Sequence, residues 1–492
     1  MAEFTRFNTG NEKSIDDPME YNALRRQHNI MCLIGNGFDT AILNQPEFKD
    51  FVGQKGKTTS YYDFYLFLKS SEYGDKLKED DNIIYAKMCA DIKSTTDKAE
   101  KQKWANFEKI VENLIFNKND ANIKKFLKPY NLPTDEKKYI RKIAEDLEQL
   151  GNLFSTYLNE LLPVKLLVEI NKKAKENQWA SISLSEFLGD LCKDDYNKLY
   201  FREEFTDFDE DSEYQLITDT DKQNKYRTKK RKKENNIYNN DLFNYMIFNF
   251  NYSTLLDNYI YLDKNQFKPH RSRYSEIDRN FGFRIDPKGF IKRHYKLTNK
   301  EIPDEEINFS SYLLTDIIHP HGIKDIPRSF LFGTERKIDD ITDPKNQFIK
   351  SFWGQNEKKY GRCFDETELF IIYGMSLERC DGWWYDKIFE QLLKNTPKGT
   401  PKAELIIYKY IDIDIDQTKM SDEEYNNRIE DFKNDIKKMF IKGRTSYTKR
   451  SKFTAKENTV MKRIYVVPFK KNDTRFLGFN SKKQTVDEGK EK

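Results

Sequence analysis

A chain of 492 residues, 37% of them hydrophobic, exceeds one ordinary domain and has ample material for a buried core. With 34% charged residues, no apolar run near the roughly 18 residues of a membrane span, and no signal-like apolar centre in the first thirty positions, it reads as a cytoplasmic protein and not a membrane one. Lys and Arg total 85 against 81 Asp and Glu, and a surplus of +4 over this length is too small to indicate a nucleic-acid binder.

The first predicted strand is "IMCLIG" (30 to 35), an apolar run ending in the turn Gly35-Asn36-Gly37. Residues 61 to 200 then show helical periodicity. In "KQKWANFEKIVENLIF" Trp104, Phe107, Ile110, Val111, Leu114 and Ile115 fall three and four apart, one apolar stripe on an amphipathic helix. This predicts a helical insertion domain whose charged outer faces suit a cover or partner surface more than a catalytic unit. A charged linker (201 to 240) follows, with "EEFTDFDEDSE" and "KKRKK" side by side. Further strands are predicted at "YMIFNFNY" (245 to 252), "FLFG" (330 to 333) and "LFIIYG" (369 to 374), with "ELIIYKYI" and "RIYVVPF" extending the sheet. A second insertion spans 262 to 310, and the tail from 471 to 492 is polar enough to read as disordered. Short apolar runs that end in turn residues and alternate with helical patterns predict parallel strands buried on both faces. The expected fold is therefore α/β, a mostly parallel, Rossmann-like sheet split between 25 to 60 and 240 to 470.

Four motifs fall at predicted strand ends, where open α/β sheets place their ligands. In "LIGNGFDTA", Gly35, Asn36 and Gly37 open a helix, and backbone amides there can hold a phosphate. Asp39 reads either as the helix N-cap or as a ribose or water contact. In "FNFNYSTLLD", Asn249 and Asn251 face one side, and Ser253 or Thr254 can cap the next helix. "IIHPHGIKD" puts His319 and His321 on one face; "IIYGMSLERCD" offers Gly374 and Ser376. Each has a plain structural reading beside the functional one. The five cysteines are scattered without a C-x-x-C pair, which suggests no zinc site or disulfide framework.

The order of these motifs resembles the AbiH family of bacterial abortive-infection proteins: G-N-G-F-D, N-F-N-Y-[ST], H-x-H-G, F-G and G-x-S-L-x-x-x-D, with W-x-x-F-E at Trp104 to Glu108. It is also remotely similar to sirtuin-like NAD-binding domains. That resemblance implies a fold of the same class, with Asn251 and His321 as catalytic residues. It implies a ligand held by Gly35, Asn36, Gly37, Phe38, Asp39, Asn249, Gly374 and Ser376. Phe250 and Ser253 depart from the sirtuin pattern, and the zinc cysteines of deacetylases are missing.

The implied function is an anti-phage effector that binds and hydrolyses NAD or a related nucleotide, with no further cofactor or metal required. The alternative is a nucleotide-binding sensor or scaffold without turnover. Implied partners are the nucleotide, a phage-derived trigger or defence-system protein, and a second copy of the chain; no membrane is involved. Cleaving a ribosyl bond passes through an oxocarbenium-like transition state. Asn251 would orient ribose or water, and His321, with the pKa of an ordinary histidine, would act as base. His319 is expected to be structural.

Overall fold

The computed structural model describes residues 4, 26–70, 77, 81–95, 107–130, 132–177, 241–265, 312–336, 340–397, 399–411 and 421–469. The expected linker at 201 to 240, the 471 to 492 tail, Trp104 and all but the first few residues of the second insertion lie outside these.

Six parallel strands form one sheet: β1 (Arg26–Ile34), β2 (Asp241–Asn249), β3 (Tyr312–Ile318), β4 (Leu369–Tyr373), β5 (Glu404–Tyr410) and β6 (Ile464–Phe469). Their spatial order is β3-β2-β1-β4-β5-β6, all pairs parallel. This is the Rossmann-like, doubly wound α/β arrangement. The order reverses between β1 and β4, and the carboxyl ends of strands at such a reversal are where open α/β sheets place their ligands.

Why the strands read as unbroken apolar runs is clear from what covers them. Along β1, Ile30, Cys32 and Ile34 face one apolar cluster, and Met31 and Leu33 the other. Period-two alternation with both faces covered makes the run from Ile30 to Ile34 apolar at every position. The first face meets α1 (Gly37–Leu43), α2 (Tyr61–Leu68), α3 (Ile83–Lys93), α4 (Phe107–Phe116), α5 (Ala121–Leu127), α6 (Glu136–Leu161), α7 (Val164–Asn177) and α8 (Leu255–Asn265). The second meets α10 (Asn356–Glu366), α11 (Gly382–Leu392), α12 (Asp422–Gly443) and α13 (Ala455–Met461); α9 (Lys350–Trp353) is a single turn.

Helix α6 is 26 residues long, capped by Asp135, and presents Tyr139, Ile143, Leu147, Leu150, Phe154 and Leu158 inward at three- and four-residue spacing. The helices between β1 and β2 thus share one apolar core with the sheet. Among the described residues no helix is long and apolar enough to cross a membrane.

One expectation needs correcting. The segment 330 to 333 is not a strand: only Thr334, just beyond it, makes a single bridge, to Ile349. Phe330 and Phe332 are apolar because they pack against Phe154 of α6 and Tyr252. The strand expected near there is β3, about a dozen residues earlier.

Candidate functional site

The first strand ends at Ile34, and three glycines then meet. Gly35 donates its amide to the Tyr373 carbonyl at 2.8 Å, Gly37 donates to the Gly374 carbonyl at 2.9 Å, and Phe38 donates back to Gly35 at 3.0 Å. A Cβ on Gly37 would lie 2.5 Å from the Gly374 Cα, and one on Gly35 2.8 Å from the Gly374 oxygen. Gly374 itself has φ +69°, a left-handed conformation that glycine adopts without strain. The glycines are therefore needed for the β1 and β4 loops to touch. This corrects the phosphate-cradle expectation, because the Gly35 and Gly37 amides are already spoken for. Asn36 is exposed, and its side-chain oxygen accepts from the Thr59 hydroxyl.

The other expected positions converge on the same edge. Phe250 donates to Ile34 at 2.9 Å, and the Asn251 side-chain amide donates to the Gly35 carbonyl at 3.2 Å. Asn249 accepts the Asn251 backbone amide at 3.1 Å. His319 sits between the Asn251 carbonyl (3.2 Å) and the Asp257 carboxylate (2.9 Å), so each ring nitrogen faces an oxygen. The His321 ring lies edge-on to Phe250 at 4.9 Å and tilted beside Tyr252 at 6.4 Å. Ser376 is exposed on the β4 loop, its hydroxyl accepting from the Glu378 amide. Phe38 does not line the site: it is fully buried, edge-to-face with Tyr259 of α8.

Three side chains here are enclosed and yet hold polar atoms without a hydrogen-bond partner: both Asp39 oxygens, the Asn249 amide nitrogen and the His321 Nε2. Buried polar atoms are almost always paired with protein or ordered water, so three such groups at one sheet edge make it the candidate place for a water or a ligand to bond. Asp39 is not the helix cap, a position Asn36 occupies. Burial pushes its carboxyl up to about 7, although the Ser253 and Thr59 hydroxyls nearby oppose the rise. His321 also departs from expectation. Burial, and then the Lys350 cation, hold its imidazole well below the ordinary range, so it is neutral near pH 7.

Beside His321 lies a set of buried charges. Lys350 Nζ is 3.0 Å from Glu108 and 3.5 Å from Asp381, and the same Asp381 oxygen is 3.5 Å from His321 Nε2. Burial alone would lower the Lys350 ammonium, but the Glu108 and Asp381 carboxylates outweigh it and hold it well above the usual lysine range. Glu335 accepts from the Ser351 amide and hydroxyl, and burial pushes it up to about 8. Glu108 and Asp381 lie inside motifs visible in the sequence. Lys350 and Glu335 carry no such signal.

A cleft of about 350 Å³ meets this cluster at Glu108 alone and is otherwise lined by Lys109, Thr334, Leu377, Arg379 and Cys380 among others; Asp39, Asn249, Asn251 and His321 do not line it. Its wall includes Leu377 at φ +61°, a strained conformation for a branched residue. Glu108 belongs to α4, so the helical layer is not merely a cover and contributes a carboxylate to the site. Comparison with family models, curated proteins and solved structures gave no match.

Proposed function

We propose that the chain is an effector of bacterial anti-phage defence that binds NAD or a related nucleotide at the carboxyl edge of the sheet, beside the touching β1 and β4 loops, and hydrolyses its ribosyl bond. The observation that carries this reading is the set of unpartnered buried groups, Asp39, Asn249 and His321, which follow or end β1, β2 and β3 at the carboxyl edge of the sheet. The motif order shared with the AbiH and sirtuin-like families supplies the biological setting.

The chemistry fits the residues present. Loss of a nitrogen base from ribose builds positive charge on the sugar, which nearby carboxylates stabilise. Asp381 lies 3.5 Å from His321, and Asp39 sits in the first turn of α1, just after the β1 loop. Neutral His321 can accept a proton from water or a ribose hydroxyl, and the Asp381 oxygen 3.5 Å away is placed to stabilise the imidazolium that results. Asn249 offers an unused amide to an oxygen of the ligand. The adjoining cleft has the volume of a small-molecule site and meets the charged cluster at Glu108.

A reading as a sensor without turnover is favoured by one feature. Asp39 and Asn249 are 0% exposed, and the Asn251 amide is already bonded to Gly35, so ligand entry requires the loops to part.

Incubating purified protein with NAD and with ATP, with and without phage material, and identifying products by mass spectrometry decides between them. Hydrolysis predicts free nicotinamide and ADP-ribose from NAD. Tight binding with unchanged nucleotide supports the sensor, and no binding of either nucleotide overturns both.

A further inference from the structure

We infer that Lys350 is a positioning residue of this site, which ties Glu108 of the helical layer to Asp381 and so fixes the surroundings of His321. What the site finally does rests on the proposed function, but the connection itself is geometric. Lys350 reaches Glu108 at 3.0 Å and Asp381 Oδ1 at 3.5 Å, and that one Asp381 oxygen is also the carboxylate atom nearest His321 Nε2.

The local structure places the ammonium with care. Lys350 begins a helix of only four residues, and its amide donates to the Thr334 carbonyl at 3.0 Å. The next residue, Ser351, is held by both oxygens of Glu335 at 2.7 and 2.6 Å. Packing does not account for this turn, since Phe352 and Trp353 are 43% and 63% exposed while Lys350 is 2% exposed. A lysine and two carboxylates taken out of water gain no stability that apolar residues of similar volume could not match or exceed. Their retention beside an imidazole nitrogen with no hydrogen-bond partner points to a functional arrangement.

The groups around His321 come from every neighbouring element. Asp381 and Cys380 come from the loop after β4, Lys350 from α9, Glu335 from the segment before it, Glu108 from α4, Tyr61 from α2, and Phe250 and Tyr252 from the loop after β2. Lys350 is the cation at the centre of this set. Any displacement of α4 that carries Glu108 away changes what Lys350 holds. Glu108 thereby links α4 to the Lys350–Asp381 pair beside the histidine.

The test follows His321 directly by NMR in full-length protein with isotope-labelled histidine, its signal assigned from its absence in His321→Gln. Removing the cation in Lys350→Met lets the ring take up its proton at a pH higher by about one unit or more, the effect of a neighbouring charge. Lys350→Arg keeps the charge and stays near wild type. Glu108→Gln leaves Lys350 to Asp381 alone and gives no rise. An unshifted His321 in folded Lys350→Met, or equal rises in Lys350→Met and Glu108→Gln, overturns the inference.

Lys350→Met strands a buried carboxylate and can fail to fold; the double variant Lys350→Met/Glu108→Gln removes both charges. It is expected to fold and to show the same rise, and its absence there counts equally against the inference. In parallel, nicotinamide release from NAD falls in Lys350→Met and recovers in Lys350→Arg. A wild type that releases none refutes the hydrolase reading alone, because the NMR comparison needs no substrate.

Discussion

Asp39→Asn should make the protein more stable and less functional at once. Asp39 is 0% exposed, neither oxygen is in full hydrogen-bond geometry although the Ser253 and Thr59 hydroxyls lie near enough to offset part of the shift, and burial raises its carboxyl from 3.8 to about 7. The folded chain therefore holds this proton more tightly than the unfolded chain does. Its contribution is fully present below about pH 4 and is lost as pH climbs toward 7, above which the folded state carries an ionised, unpaired carboxylate. A rise of about three pH units at about 1.4 kcal/mol each is worth about 4 kcal/mol, an upper figure because His319 and Asp257 share in the same charge balance. Urea unfolding of wild type and Asp39→Asn at pH 4.5 and pH 8 reads this directly. The amide variant should gain about 2 to 4 kcal/mol over wild type at pH 8 and little at pH 4.5. Equal stability at pH 8, or a variant weaker than wild type there, would refute the claim that this carboxylate is held at a cost. The same variant should lose nucleotide turnover, since a group kept despite its cost is expected to serve the ligand.

Gly37→Ala puts a Cβ 2.5 Å from the Gly374 backbone, so the β1 and β4 loops must separate; a loss of about 1 to 3 kcal/mol in thermal or urea unfolding is expected, whereas lost affinity at unchanged stability would restore the phosphate-cradle reading. His321→Ala should cut turnover by about 10² to 10⁴ with affinity changed much less, measured as NAD loss beside NAD binding. His319→Ala should act mainly on stability, by about 1 to 3 kcal/mol, because it removes the partner of both the Asn251 carbonyl and Asp257. Asn251→Ala frees the Gly35 carbonyl and the turn beside it, and should abolish turnover while leaving the chain folded by circular dichroism.

Most of the sheet was legible because strands covered on both faces are mostly apolar, with polar residues such as His28, Asn244 and Glu404 few and nearer the strand starts. Where that condition lapses, the reading fails. "YLLTDII" of β3 contains Thr315 and Asp316, and this edge strand pairs on one side only, so its pattern is diluted. "FLFG" misleads in the opposite sense: its apolar character serves packing under α6 and not a ladder. The G-N-G turn announces a close approach but cannot say of what, since the approaching group, Gly374, lies more than 300 residues away in the chain. Convergence of the asparagines, histidines and glycine loops follows from all four motifs sitting at carboxyl ends of parallel strands. Lys350 could not be found this way. One lysine among 85 basic residues carries no signal until its burial between Glu108 and Asp381 is seen.

Hydrogen–deuterium exchange of the full chain with and without NAD tests most directly whether the carboxyl edge of the sheet beside β1 and β4 is the ligand site. Binding there predicts protection concentrated in 35 to 39, 249 to 253, 319 to 322 and 374 to 381, lost in Asp39→Asn. Protection confined to other segments, or none at saturating NAD, would contradict it.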